Sequence, residues 1–265
     1  MNPTLARCLR AGQPWLLPAA LLGAWEIAAQ AGLISSRTLP APSAVVLAGW
    51  RVLLSGELIH HVWISTYRAL IGLAIGGGLG FVLGVVNGSL RAAERFSDTL
   101  LQMLRNIPHL AVIPLVILWF GVDETAKIFL VAAGVLFPIY INTFHGIRTI
   151  DAGLIEMARV YGLSSSAMFW RVVLPGALPS VLVGLRYGLG IMWLTLIVAE
   201  TIAASSGIGY MTMNAREFLQ TDVVVLGILI YALLGKLADS LTAAIERRCL
   251  AWHSAYRSVP QGAAA

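Results

Sequence analysis

The chain has 265 residues, of which 58% are hydrophobic and only 12% charged, with a mean hydropathy of +0.81 and a formal net charge of +5. A soluble domain carries roughly 25% charged residues, so this balance excludes a soluble globular protein and points to an integral membrane protein. The pI near 9.6 requires no nucleic-acid partner, because arginines beside an anionic membrane surface account for it.

Crossing a hydrocarbon core of about 30 Å takes roughly 20 apolar residues in a helix, and six segments are candidates. Residues 14–33, 63–86 and 128–144 are nearly free of charge. Residues 107–120 are short and carry Pro108 and Pro114, residues 179–199 include Arg186, and residues 223–241 include Lys236 and Asp239. Snorkelling and burial in a bundle accommodate such charges. The expected chain is all-α: a cytoplasmic amino terminus (1–13), a six-helix transmembrane domain (14–250) with a cytoplasmic loop (146–175), and a cytoplasmic tail (251–265).

Basic residues orient these spans. With the amino terminus inside, Arg7, Arg10, Arg91, Arg95, Arg105, Arg148, Arg159, Arg171, Arg186, Arg247, Arg248 and Arg257 fall at or near the cytoplasmic side. Arg37, Arg51, Arg68, Lys127 and Arg216 fall on the other side or at outer ends, with Lys236 inside a span. That asymmetry satisfies the positive-inside rule.

At the amino terminus, Arg7, Arg10, the apolar run from Trp15 and Ala29-Gln30-Ala31 have the outline of a signal peptide. The apolar region is long, contains Glu26 and is followed by more spans, so a first span is the preferred reading. Leu5-Ala6-Arg7-Cys8 outlines a lipidation box, but no apolar region precedes it. Cys8 and Cys249 both map to the reducing side, and no disulfide is expected.

Residues 35–61 read as an external segment in which Leu39-Pro40-Ala41-Pro42-Ser43 turns and Ser43 caps an amphipathic stretch, 44–54. In the second span Gly72, Gly76, Gly80, Gly84 and Gly88 recur every fourth residue and form a small-residue groove. Such a groove admits either another helix of the same chain or a second copy. Residues 98–105 are polar with leucines on one side, and Asn106-Ile107-Pro108 opens the third span. Pro108 and Pro114 free backbone groups inside the membrane; broken helices often line transport paths, although packing kinks produce the same pattern.

The loop 146–175 reads as two short helices. Asp151 caps the first, 152–161, where Leu154, Ala158 and Tyr161 share a face, and Gly162 ends it. Ser164 or Ser165 opens the second, bringing Met168, Phe169 and Val172 forward until Pro175 stops it. The result is a partly apolar knob for a cytoplasmic partner, or an interfacial helix on lipid headgroups. Catalytic patterns are missing. Lys236 follows Gly235, but Ile230 and Leu237 break the phosphate-loop pattern; the five histidines form no metal spacing, and no Gly-x-Ser-x-Gly occurs.

Near the outer end of the fifth span lie Glu200 and Thr201, with Trp193 and Thr195 one to two turns below. Polar groups in this place are candidates for a translocation path, or for a buried network bracing the helices. Lys236 and Asp239 are spaced to pair with each other, while Glu26 has no partner evident in the sequence.

Glu156-x-Ala158-x-x-x-Gly162, then nine further residues and Val172-x-Leu174-Pro175, resembles the EAA loop of permease subunits of bacterial ATP-binding-cassette importers. Met157 departs from the second alanine common in that pattern. The resemblance runs from about Trp15 to Trp252. Gln102-Met103-Leu104-Arg105-Asn106-Ile107-Pro108-His109, Trp119-Phe120-Gly121, Phe137-Pro138-Ile139-Tyr140-Ile141-Asn142-Thr143 and Ser206-Gly207-Ile208-Gly209-Tyr210 are similar to the nitrate/sulfonate/taurine branch. Residues 214–222 and 231–239 look closest to its aliphatic sulfonate permeases.

This resemblance implies a type I importer permease fold and a coupling role for Glu156, Ala158, Arg159, Gly162, Leu174 and Pro175. It further implies a homodimer in the bacterial inner membrane, two cytosolic ATP-binding subunits and a periplasmic sulfonate-binding protein. The chain itself would need no cofactor and catalyse no covalent chemistry. A secondary transporter would instead need intramembrane titratable groups or an inverted repeat for coupling, and a membrane enzyme would need one of the missing motifs.

Overall fold

The structure is a computed structural model that describes residues 3–252, excepting the side chains of residues 3–15 and 203. All but the first two residues of the expected tail (251–265), and the Cys8 side chain, therefore lie outside the described residues. In chain order the α-helices are α1 (Pro3–Gln30), α2 (Pro42–Leu54), α3 (Glu57–Ser89), α4 (Arg91–Arg105), α5 (Ile113–Phe120), α6 (Glu124–Arg148), α7 (Ala152–Val160), α8 (Ser165–Met168), α9 (Leu174–Ala203), α10 (Ile208–Glu217) and α11 (Thr221–Cys249). A 3-10 turn at His109–Val112 precedes α5, and a π turn at Phe169–Val173 joins α8 to α9. The described residues divide into two units, one of residues 3–63 and 206–231, the other of residues 64–205 and 232–252.

Six spans are expected from the sequence; among the described residues four helices are long and apolar enough to cross a membrane: α3, α6, the run Ser165–Ile202 and α11. A fifth crossing requires α4 and His109–Phe120 to act together, and these are bent by 77° at their junction. The expected third span, 107–120, is thus no straight helix. Pro108 disfavours helix at Ile107, α4 ends with Asn106 as its C-cap, and α5 has only 8 residues, about 12 Å of rise. Residues 16–30 of α1 are apolar but too few for the same test.

Within the second unit α6 is central. The glycine stripe of α3 lies on it: a Cβ at Gly72, Gly84 or Gly88 would collide with Val131, Thr143 or Ile147, and at Gly76 or Gly80 with the backbone of Ala132 or Leu136. The small-residue groove is therefore filled by a helix of the same chain. Another side of α6 meets α9 in the same way, since a Cβ at Gly184 would stand 2.7 Å from Asn142 and one at Gly146 2.8 Å from Ser180. Close backbone approach of this kind replaces the hydrophobic driving force that lipid cannot supply. Ile113 and Val116 of α5 are buried with Ala126, Leu130 and Ala199 at the start of α6 and the end of α9.

In the first unit, Ser43 does not cap α2. Ala41 is the N-cap and Pro42 occupies the first turn, where a missing N–H costs nothing. Ser43 donates its backbone N–H and its hydroxyl to the Glu26 carboxylate at 2.9 and 2.6 Å, giving Glu26 the partner that the sequence did not reveal. Arg51 pairs with Asp222 at 2.8 Å, and the Thr221 hydroxyl donates to the Arg37 carbonyl at 2.9 Å.

Candidate functional site

The loop between α6 and α9 is built from local signals. The Asp151 side chain accepts from the Gly153 N–H at 2.7 Å and starts α7. Gly162, at φ +73°, ends it: its N–H donates to the Arg159 carbonyl at 2.9 Å, and that of Leu163 to the Ala158 carbonyl at 3.0 Å. This paired closure requires a left-handed residue, the conformation that glycine adopts without steric cost. Of the face expected on α7, Ala158 is buried, whereas Leu154 and Tyr161 are exposed, as are Met157, Val160 and the more distant Trp170. Glu156 and Arg159 are also exposed. The loop thus presents an apolar surface, which Glu156 and Arg159 flank on α7.

Ser164 caps α8 by accepting from the Ala167 N–H at 3.3 Å. Pro175 does not stop this second helix, as the sequence suggested; the chain continues through the π turn into α9, where Leu174 and Pro175 form the first turn. The Leu174 N–H donates to the Phe169 carbonyl five residues back, and a first-turn proline needs no donor of its own.

The 25 residues of α6 rise about 36 Å, and a cluster of charges gathers at its other end. Arg68, with no exposed surface, directs Nη1 to Glu200 Oε1 at 2.6 Å and its Nε and Nη2 to the two oxygens of Glu124. Ser65 donates to both oxygens of Glu200 at 2.8 Å. Lys127 Nζ donates to the Val122 carbonyl at 2.9 Å and stands 3.5 Å from Glu124. Breaking a buried ion pair by deleting one partner costs about 3–5 kcal/mol, so Arg68 and Glu200 depend on each other.

The translocation candidates make separate contacts. Glu200 belongs to the charged cluster. The Thr195 hydroxyl, fully buried, is 3.0 Å from His109 Nε2 and ties α9 to the 3-10 turn. Trp193 is buried, and the half-buried Thr201 donates to the Val198 carbonyl of its own helix at 2.9 Å. Lys236 and Asp239 approach to 3.7 Å as their spacing suggests, but Arg186 is nearer to Asp239, at 3.2 Å, and also binds Glu246 at 2.9 Å. Sequence reading missed the roles of Arg68, Glu124 and His109, because their partners lie 56 to 132 positions away. The available signal was a bare charge inside an apolar helix, as Arg68 is in α3.

Residues 76–250 match the family model described as "Binding-protein-dependent transport system inner membrane component". The chain belongs to this family. As such a component it is the non-catalytic membrane subunit of an ATP-binding-cassette importer, which works with ATP-binding subunits and a substrate-binding protein in the inner membrane. It is 63% identical to the protein named aliphatic sulfonates transport permease SsuC in Escherichia coli (strain K12), over 92% of each chain. The protein of the same name in Bacillus subtilis (strain 168) is 49% identical, over 91% of this chain and 87% of that one. The crystal structure of an amino acid ABC transporter superposes with a TM-score of 0.62 at 17% identity, covering 75% of this chain and 96% of the other. The fold is that of type I importer permeases.

Proposed function

We propose that this permease carries aliphatic sulfonates across the inner membrane, driven by ATP hydrolysis on a partner subunit. The observation that carries the substrate is the 63% identity, over 92% of both chains, to a permease named for aliphatic sulfonates. The importer acts as a homodimer of this chain with two ATPase subunits on the cytoplasmic side and a periplasmic sulfonate-binding protein opposite. Glu156, Ala158, Arg159, Gly162, Leu174 and Pro175 build the ATPase dock: Gly162 and Ala158 shape α7, Leu174 and Pro175 join the loop to α9, and Glu156 and Arg159 flank the apolar contact. ATP binding draws the two loops together, and the rigid α6–α9 packing transmits that movement to the pore. Trp193 and Thr201 contribute weak contacts along the path, whereas Thr195 and Glu200 brace it.

A strain lacking this chain is expected to stop growing on a linear alkanesulfonate as sole sulfur source, to keep growing on sulfate, and to recover when the chain is restored. Loss of growth on taurine or nitrate alone would reassign the substrate. Uptake that persists without any ATPase partner would overturn the importer reading.

In this arrangement both termini and the loop face the cytoplasm. In a background lacking Cys8 and Cys249, cysteines replacing the exposed Ser36 and Ser205 should label from outside in intact spheroplasts, and one replacing the exposed Ser165 only after permeabilisation. External labelling at position 165 would invert the topology.

A further inference from the structure

Two cations and two carboxylates meet where α6 begins, and their burial is unequal. The side chains of Arg68 and Glu200 are fully buried and that of Lys127 is 3% exposed, but Glu124 is 53% exposed. Glu200 is anchored by Arg68 and by Ser65. Glu124 instead sits in the first turn of α6 and covers the outward edge of the guanidinium, Nε and Nη2. That edge is a planar fork whose geometry suits any anion offering two oxygens, whether carboxylate, phosphate or sulfonate. Lys127, tied to the Val122 carbonyl, remains beside the same place whichever anion fills it. The helix start adds positive potential, part of which the exposed carboxylate of its N-cap residue Asp123 offsets.

We propose that Arg68 and Lys127 form a binding site for the sulfonate head of the transported molecule, and that Glu124 occupies this site until the sulfonate displaces it. The substrate class rests on the sulfonate reading given above. With Glu124 in place the four charges sum to zero. When Glu124 turns to solvent and a sulfonate enters, one negative charge replaces another, so no unpaired cation is left in apolar surroundings. The return of Glu124 then expels the anion, which prevents two cations from holding it too firmly for transport.

The test uses the purified complex of the permease with its ATPase, without the binding protein, and a radiolabelled alkanesulfonate. Glu124→Gln removes the competitor and is expected to bind the sulfonate about tenfold more tightly, as for a parent site uncovered roughly a tenth of the time. In the full transporter the same variant should lower both KM and kcat, because release slows. Arg68→Met alone would strand a buried carboxylate, so the paired variant Arg68→Met/Glu200→Gln removes both charges; it should lose binding while its thermal unfolding reports an intact fold. Equal affinity in Glu124→Gln and the parent, with the parent transporting sulfonates normally, would overturn the site and leave the function standing. A parent that does not transport sulfonates, together with a Glu124→Gln variant that tightens on nitrate by the same factor, would uphold the anion site and remove the sulfonate reading.

Discussion

Replacing Gly162 by valine is expected to lower transport and substrate-stimulated ATP hydrolysis about tenfold, while the chain still inserts and folds. The φ of +73° at this position costs an L-residue about 1–2 kcal/mol, and 1.4 kcal/mol is a tenfold factor. Nothing lies within 4 Å of the Cβ that valine would add, so the penalty falls on the backbone alone. The chain relieves it by giving up the two hydrogen bonds that close α7, and relief re-aims the exposed apolar face that the ATPase is proposed to grip. The membrane helices do not depend on that closure. Glu156→Lys should give a comparable loss by a different route. Glu156 is exposed and forms no ion pair among the described residues, so reversing its charge removes nothing inside the chain and alters only what a partner meets. The two variants are read by ATPase assay in proteoliposomes containing the binding protein, beside thermal unfolding of the same samples. Normal stimulated hydrolysis in both would remove the loop from the coupling interface.

The sequence made some of these elements legible and left others hidden for identifiable reasons. Asp151, Gly162 and Ser164 act on backbone groups within three residues or one helical turn, so spacing alone located the ends of α7 and the start of α8. The glycine repeat announced close helix packing, since no side chain can stand between the backbones, but it did not name the neighbour, and only the structure supplies α6. Pro175 misled because a proline that ends one helix also suits the first turn of the next, and the π turn before it keeps the helix running. Pro108 had the opposite outcome: a break was expected, and the chain bends there by 77°. The charged cluster was legible only in part, since a bracing network was one reading of Glu200 but its partners were not in view. Arg68 reads as an interfacial arginine until it is known that Glu124 and Glu200, 56 and 132 positions away, converge on it.

Gly76→Ala is expected to be the most damaging alanine change along the α3 glycine stripe, and Gly78→Ala two positions later almost silent. At Gly76 the added Cβ would overlap the Ala132 carbonyl oxygen and stand 2.6 Å from both the carbonyl carbon and the Cα of that residue. These are backbone atoms in the middle of α6, so no rotamer change relieves the clash, and α3 must move away from its neighbour. Overpacking of this kind costs about 1–3 kcal/mol. The cost should sit at the upper end here, because withdrawal also loosens the adjoining contacts of Gly72 and Gly80. Gly78 is exposed and has nothing within 4 Å of a Cβ, and surface changes of that sort stay within about 0.5 kcal/mol. Thermal unfolding in detergent should therefore show a clearly lower midpoint for Gly76→Ala, with a smaller folded fraction on size exclusion, and parental behaviour for Gly78→Ala. A Gly76→Ala variant that keeps the parental midpoint but runs as a monomer where the parent is a dimer would mean that the stripe faces a second copy of the chain rather than α6.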